Sequence, residues 1–194
     1  MPVTDVITIP KSNAVINGWM QTFSGAAFSP ADPQPDSIII EDIAHALARQ
    51  CRFGGHCIKF YSVGEHCCHV SDRASIVYKL SALMHDASEA YLVDIPRPVK
   101  PLLKNYYEIE DRLMRVIAEK FGFDWPPPDE VKYLDTAILS DEREQNMAGM
   151  DIDAKAWGSP YPALGIKLRY WEPERAAFEF MDRFHRSKNG NSRS

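Results

Sequence analysis

The chain has no long apolar run and no excess of basic residues. No apolar stretch in its 194 residues approaches the roughly 18 residues that a membrane span requires, so we expect no membrane partner. The 27 acidic residues outnumber the 22 lysines and arginines and leave a formal net charge of -5. Because duplex DNA attracts basic surfaces, this balance disfavours a duplex nucleic-acid partner.

Cysteines and sorting signals are also scarce. The chain has four cysteines, Cys51, Cys57, Cys67 and Cys68, and none of them forms a Cys-x-x-Cys pair. This spacing does not indicate a disulfide framework in a chain of this length, so we predict reduced thiols. The N-terminal sequence MPVTDVITIPKSN lacks the basic and apolar regions of a secretory signal, and we therefore expect a cytoplasmic protein.

The remaining composition is that of an ordinary globular protein, with 45% apolar and 25% charged residues. We predict a single domain over 1–186 and a disordered tail over 187–194. Within the domain we expect an N-terminal arm (1–40), a helical core (41–148) and a C-terminal packing segment (149–186).

The arm is rich in Pro, Gly, Ser and Asn and carries short β-branched runs, VITI and AVI. Its turn signals, Asn17-Gly18 and Ser24-Gly25, predict a small β-hairpin or an extended arm.

Apolar residues at helical spacing dominate the rest of the chain and predict an all-α bundle. We expect one helix from Ile40 to near Cys51 and, after the capping box at Ser62, a second that breaks near Ser71-Asp72. A third helix carries Leu80, Leu83, Met84 and Ala87. Further helices are predicted over 101–121, 129–148 and Glu172 to Arg186. The segments RFGGHCIKFY and DIPRPVKP are predicted loops, the second extended because of its prolines, and 150–171 is irregular.

One predicted helical turn concentrates charge. His85 and Glu89 lie four residues apart, and Asp86 and Glu89 lie three apart, so an imidazole and two carboxylates would crowd one face. Two unpaired carboxylates beside an apolar stripe are unfavourable, and a divalent cation is the usual compensation.

Two distant residues could complete a metal site. His66 lies on the apolar side of the preceding helix, where the alternative is a hydrogen-bonded core histidine. Asp135 falls on the inward side of its helix, where the alternative is a partly exposed aspartate. Two imidazoles and two carboxylates suit a divalent ion, and the residue types do not choose among Co, Mn, Zn, Ni, Fe and Mg.

Three motifs occur in a specific order: YSVGEH, then ALMHDASEAYLVDIPRPVK, then a helical LDTA. Together they resemble the HD-domain phosphohydrolases, in particular the bacterial 5′-deoxynucleotidases and the bacteriophage enzymes that hydrolyse deoxyadenylates. The earlier stretch SIIIEDIAHALARQCRFGGH is similar to the phage branch. The resemblance covers roughly residues 20–148. It implies an HD-domain helical bundle that forms a homo-oligomer, located in the host cytoplasm if it is phage-encoded.

The resemblance implies a role for each matching residue. The family's metal ligands fall on His66, His85, Asp86 and Asp135. Glu89 matches the carboxylate that positions or deprotonates the attacking water, and Asp94 matches a second catalytic acid. Gly64 and Val93 depart from the family pattern, standing where Ala and Gly are expected.

The substrate-binding residues follow in the same way. Arg52 matches the arginine that holds the substrate phosphate, although a loop-surface charge is its alternative, and His56 and Lys100 are further phosphate contacts. Trp19, with Phe23 and Phe28, is a hypothetical wall for the base; the alternative is that these aromatic residues cover the core. Two further residues are candidates for lining the same pocket, Ile95 and Pro96.

The leading hypothesis is metal-dependent hydrolysis of phosphate from deoxynucleotides, foremost dATP, dADP and dAMP, by attack of a metal-bound water. A general 5′-deoxynucleotidase acting on dNMPs is the nearest alternative. Non-catalytic alternatives are a nucleotide-binding regulator and a zinc-stabilised module whose ligands would be Cys51, His56, Cys57, His66 and Cys67.

Overall fold

The computed structural model describes residues 18–149 and 159–190. Over these residues it confirms the predicted fold class, an α-helical bundle with a small N-terminal β-hairpin. The runs VITI and AVI and the tail residues 191–194 lie outside the described residues.

The hairpin pairs β1 (Met20–Gln21) with β2 (Ala27–Phe28) in antiparallel fashion. Its turn includes the predicted Ser24-Gly25 signal, and Gly25 has a φ of 88° that suits glycine. Asp42 anchors the turn by accepting hydrogen bonds from the backbone N–H of Ser24 at 2.6 Å and from its hydroxyl at 2.9 Å.

The helices are described by their bounds in chain order: α1 (Ile40–Arg49), α2 (Val63–Arg73), α3 (Lys79–Leu83), α4 (Glu89–Leu92), α5 (Tyr106–Phe121), α6 (Asp129–Asn146) and α7 (Pro173–Gly190). The predicted capping box begins α2, where the Ser62 hydroxyl accepts from the N–H of Glu65 at 3.0 Å. Helix α1 packs against α2, α4 and α7, and α2 also packs against α3, α6 and α7.

The predicted continuous helix from Leu80 to Ala87 is wrong, because α3 ends at Leu83 and a turn separates it from α4. In a continuous helix the carbonyl of Ala82 would accept from the N–H of residue 86. Here it accepts from Nδ1 of His85 at 2.7 Å. The side chain of His85 therefore replaces a helical hydrogen bond, and both His85 and Asp86 lie in the turn.

Three other boundaries differ from prediction. Helix α5 begins at Tyr106 rather than at 101, and the proline-rich segment before it is not fully extended, since it contains a helical turn over Lys100–Leu102. Proline is tolerated at the start of such a turn. Helix α7 continues to Gly190, so 187–190 are helical rather than disordered, and Lys188 donates to the carbonyl of Phe121 at 2.9 Å.

Candidate metal centre

Three separate parts of the fold bring two imidazoles and two carboxylates together. His66 projects from the first turn of α2, His85 and Asp86 from the turn between α3 and α4, and Asp135 from α6. Nε2 of His66 lies 3.3 Å from Nε2 of His85 and 3.2 Å from Oδ1 of Asp135. Nε2 of His85 lies 3.2 Å from Oδ2 of Asp86 and 3.6 Å from Oδ1 of Asp135.

These distances fit atoms that share one ion. Zinc binds His nitrogen and carboxylate oxygen at about 2.0–2.2 Å, so neighbouring ligand atoms in a compact coordination shell lie about 3–3.5 Å apart. His66, His85 and Asp135 form one group able to hold a metal ion. Asp86 joins it through the contact with His85 and another of 3.7 Å with Nε2 of His66.

Both imidazoles are oriented by hydrogen bonds from their other nitrogen. Nδ1 of His66 lies 2.7 Å from Oε1 of Glu142, and Nδ1 of His85 donates to the Ala82 carbonyl. Donation through Nδ1 leaves Nε2 available as a ligand, which is the usual arrangement around a metal-binding histidine. The sequence analysis missed Glu142, although it lies two helical turns after Asp135 and therefore on the same face of α6.

The electrostatics of the cluster favour a cation. Burial alone raises the pKa of Asp135, but hydrogen bonds with His66 and His85 outweigh it and hold the pKa well below its usual range. Burial lowers the pKa of His85, whereas the charges of Asp86 and Asp135 and the hydrogen bonds with them together outweigh burial and leave the pKa well raised. The two carboxylates thus require positive charge, which either protons or a divalent ion can supply.

Arg52 and Glu142 extend the cluster. Arg52 is buried, and it donates to Oε2 of Glu142 at 3.1 Å while lying 3.8 Å from Oδ2 of Asp86. The alternative that Arg52 is a loop-surface charge is therefore wrong. Its Nε is buried and has no hydrogen-bond partner among the described residues.

Glu89 and Asp94 lie beside the cluster as carboxyl groups of unusual basicity. Burial, followed by the charges of Asp86 and Asp94, raises the pKa of Glu89 well above its usual value. Oε1 of Glu89 lies 3.4 Å from Nζ of Lys100, whereas the buried Oε2 has no partner within the described ranges. Burial also raises the pKa of Asp94.

Gln50 positions both of these acids, and sequence reasoning missed it. Its side-chain amide donates to the Glu89 carbonyl at 2.8 Å and accepts from the Asp94 N–H at 2.9 Å. The N–H of Val63 donates to the Gln50 backbone carbonyl at 3.0 Å, which ties this contact to the start of α2.

A pocket of about 390 Å³ opens beside the cluster and includes His85, Asp86 and Asp135 in its wall. Lys100 was predicted here, and three further cationic or aromatic lining residues were not: Arg97, Trp125 and Lys132. Arg97 binds Oδ2 of Asp135 at 2.8 Å, although the arginine is largely exposed. The pocket combines cations with an aromatic wall, which suits a phosphorylated ligand.

The residues predicted for base and phosphate contact are more scattered. Trp19 is 53% exposed, and Phe23 stacks on His45 at a ring distance of 3.6 Å. Phe28 is fully buried and stacks on Tyr91, so the alternative of a core residue holds for it. Lys100 lines the pocket, whereas the remaining candidates are not among its lining residues: the buried Arg52, the exposed His56 and Pro96, and the half-buried Ile95.

The ligands of the proposed zinc module do not meet. Cys51 and Cys57 contact each other, His66 joins the metal cluster, and Cys67 lies near His85 and Asp86. Among the described residues, no group of three able to hold a metal comes from the module's own five. Burial, followed by the charge of Asp86, raises the pKa of Cys67, which disfavours the thiolate that binds metals.

The two positions that differ from the resembled family have different consequences in the structure: it gives a reason for Gly64 and none for Val93. A Cβ on Gly64 would lie 3.1 and 3.2 Å from backbone atoms of Ala48, so glycine lets α2 approach α1 closely. Val93 adopts a φ of 70° and a ψ of 151°, which is strained for a β-branched residue. Val93 directly precedes Asp94, so the strained backbone lies at the site.

Fold and site together define a helical protein with a buried His and carboxylate centre that could hold a metal ion. Across 18–149 and 159–190, no helix combines the length and apolar character needed to cross a membrane. A scan against models of known families finds no match.

Two curated proteins are similar over most of their length. Uncharacterized protein YfdR of Escherichia coli (strain K12) is 38% identical over 171 residues, which cover 86% of this chain and 94% of YfdR. An uncharacterized protein of Rhodobacter capsulatus is 34% identical over 184 residues, with the same two coverages. The chain belongs to the same family as YfdR.

Proposed function

We propose that the protein is an HD-domain phosphohydrolase that removes phosphate from deoxynucleotides with the help of a divalent metal ion. The observation that supports this most is the convergence of His66, His85, Asp86 and Asp135 at ligand distances. A structural metal site would not need a pocket of about 390 Å³ at its edge. An enzyme requires this access for its substrate.

The ion would supply charge neutralisation for a phosphate and lower the pKa of water. The guanidinium of Arg52 would bind the phosphate, since guanidinium groups bind phosphate strongly. Glu89 would take up the proton of the attacking water. Its raised pKa and its unpartnered Oε2 suit a general base.

Asp94 and Lys100 would assist these steps. Asp94 has a raised pKa and would serve as the second acid, able to protonate a leaving oxygen. Lys100 contacts both Glu89 and Glu110 and lines the pocket, so it would attract the phosphates.

Within deoxynucleotides we favour deoxyadenylates, namely dATP, dADP and dAMP. This preference rests on the resemblance of the stretch SIIIEDIAHALARQCRFGGH to the phage branch of the family. The exposed Trp19 and the pocket residue Trp125 are the aromatic side chains that we propose for contact with the base. We also propose that the protein is cytoplasmic and forms a homo-oligomer. Size-exclusion chromatography with light scattering tests the oligomeric state directly.

The test is phosphate release from a panel of dNMPs and dNTPs, with nucleoside products resolved chromatographically after metal addition. Glu89→Gln should lower kcat by about 10²–10⁴-fold while metal content stays unchanged. Glu108→Gln, at an exposed position on α5, is the matched control and should retain full activity. Wild-type rates in the Glu89→Gln variant would overturn the assigned role.

The products distinguish the substrate hypotheses. Conversion of dATP, dADP and dAMP to deoxyadenosine supports the deoxyadenylate preference. Equal activity on all dNMPs with none on dATP supports the general 5′-deoxynucleotidase. Release of only dAMP and pyrophosphate from dATP contradicts the deoxyadenylate proposal, and no activity on any member of the panel contradicts the phosphohydrolase.

A further inference from the structure

Cys51 and Cys57 flank the loop that carries Arg52, and their side chains meet. Their Sγ atoms lie 3.3 Å apart, and both residues are half-buried. The other two thiols, Cys67 and Cys68, are fully buried in α2 and are sequence neighbours. The proposed metal centre uses neither Cys51 nor Cys57, so this contact has no assigned role.

The loop geometry permits a covalent bond between the two sulfur atoms. A disulfide has a length of about 2.05 Å, so the atoms need to approach by about 1.2 Å. Gly54 and Gly55, with φ values of 60° and 82°, lie between the cysteines and give the backbone freedom to adjust. The two ends of the longer loop from Cys51 to Ser62 are joined by the Cys51–Ser62 bridge and by the hydrogen bond from the Arg52 N–H to the Tyr61 carbonyl.

We propose that Cys51 and Cys57 are a modification site that forms a reversible disulfide by exchange with a small disulfide such as oxidised glutathione. The thiolate of Cys51 attacks one glutathione sulfur, and a glutathione thiolate leaves. Cys57 then loses its proton and attacks the Cys51 sulfur of the mixed disulfide, which expels the second glutathione. The two protein thiols are oxidised, and one glutathione disulfide is reduced to two glutathione thiols.

The order of attack follows from the surroundings of the two thiols. Burial and the hydrogen bond with Cys51 raise the pKa of Cys57 to about 11, so Cys57 is a poor first nucleophile. Once Cys51 carries glutathione, the Cys57 sulfur is adjacent and resolves the intermediate.

The disulfide would close a small ring around Arg52. A shift of this loop would move Arg52, the proposed phosphate contact. It would also disturb the contact of Arg52 with Glu142, which in turn contacts His66. This consequence rests on the proposed function, whereas the disulfide itself does not.

The test incubates the full-length protein with oxidised glutathione and maps its peptides by mass spectrometry. We expect a Cys51–Cys57 link, with loss of two hydrogen atoms and reversal by dithiothreitol. The link should form equally in Cys68→Ser, whereas Cys57→Ser should stop at a glutathione adduct on Cys51. Free thiols at both positions in the oxidised wild type, stable adducts on both cysteines, or a link to Cys67 or Cys68 would overturn the proposal.

Enzyme kinetics of the oxidised and reduced protein distinguish failure of the disulfide proposal from failure of the phosphohydrolase proposal. If the protein is active, oxidation should raise the KM for the deoxynucleotide several-fold, and dithiothreitol should restore it. The same treatment should leave the kinetics of Cys51→Ser nearly unchanged, because this variant can carry neither the link nor the adduct on Cys51. A link without any activity in the reduced protein would contradict the phosphohydrolase and leave the disulfide standing.

Discussion

Glu65 and Glu89 are both buried glutamates close to the candidate metal centre, yet their carboxylates differ in the number of hydrogen-bond partners. Glu65 accepts backbone N–H bonds from Arg169, Tyr170 and Trp171 at 2.6–3.0 Å. It also contacts Nε2 of His69 at 3.2 Å. Among the described residues, the carboxylate of Glu89 contacts Nζ of Lys100 at 3.4 Å through one oxygen, and its second oxygen has no partner.

The pKa values of the two carboxyl groups respond accordingly. Burial raises both, but the hydrogen bonds from His69, Trp171 and Arg169 outweigh burial at Glu65 and leave its pKa lowered. At Glu89 the charges of Asp86 and Asp94 add to burial and outweigh the opposing charges of Lys100 and Arg52, so its pKa stays raised. Burial of a carboxylate therefore does not by itself indicate a functional group. A carboxylate with saturated hydrogen bonds joins parts of the fold, whereas an unsaturated one beside a pocket is available for chemistry.

Replacement of Glu65 by glutamine should produce the largest loss of stability. The amide cannot accept all three backbone donors, and buried donors left without partners are costly. We expect the free energy of unfolding to fall by about 3–5 kcal/mol, measured by urea denaturation. Glu144→Gln, at an exposed position, is the control and should change it by less than about 0.5 kcal/mol. A similarly small effect of Glu65→Gln would remove the structural role.

Gly64→Ala tests how the helix that carries Glu65 and His66 is placed. The new Cβ would meet backbone atoms of Ala48 and Leu47 at 3.1–3.3 Å, and backbone cannot move as a flexible side chain can. We expect a destabilisation of about 1–3 kcal/mol in thermal and urea unfolding. The matched control is Gly149→Ala, where a Cβ meets nothing within 4 Å. Equal stability of both variants would show that α1 and α2 do not need this close approach.

Glu89→Gln should have the smallest effect on stability of the three variants. Unlike the other two, it should stabilise the protein. Folding raises the pKa of Glu89. Its stabilising contribution to the free energy of unfolding is therefore fully present below the pKa of about 4.3 in the unfolded chain, and it is lost as the pH rises through the pKa in the folded protein. In metal-free protein the variant should match wild type near pH 4 and gain about 1 kcal/mol at pH 8. Unfolding curves across this range measure the difference, and a variant less stable than wild type at pH 8 would contradict it.

Helical spacing was sufficient to predict the helical class, and the resemblance to the HD-domain phosphohydrolases implied the convergence of His66, His85, Asp86 and Asp135. Spacing alone left other interpretations of His66 and Asp135 open. It could not predict the turn at His85, since the side-chain bond to Ala82 competes with a helical bond only once the ring is placed. Glu142 and Gln50 were missed for a related reason. Their roles depend on contacts between segments distant in sequence, which periodicity along one helix does not show.

The most direct measurement is the metal content of the purified protein after incubation with a divalent ion and removal of excess, determined by mass spectrometry of the elements. We expect one tightly held ion per chain in wild type and in Glu89→Gln, and loss of the ion in Asp135→Ala and His85→Ala, with circular dichroism showing that both variants keep the fold. The same metal content in Asp135→Ala, His85→Ala and wild type would contradict the proposal that these side chains form the metal centre.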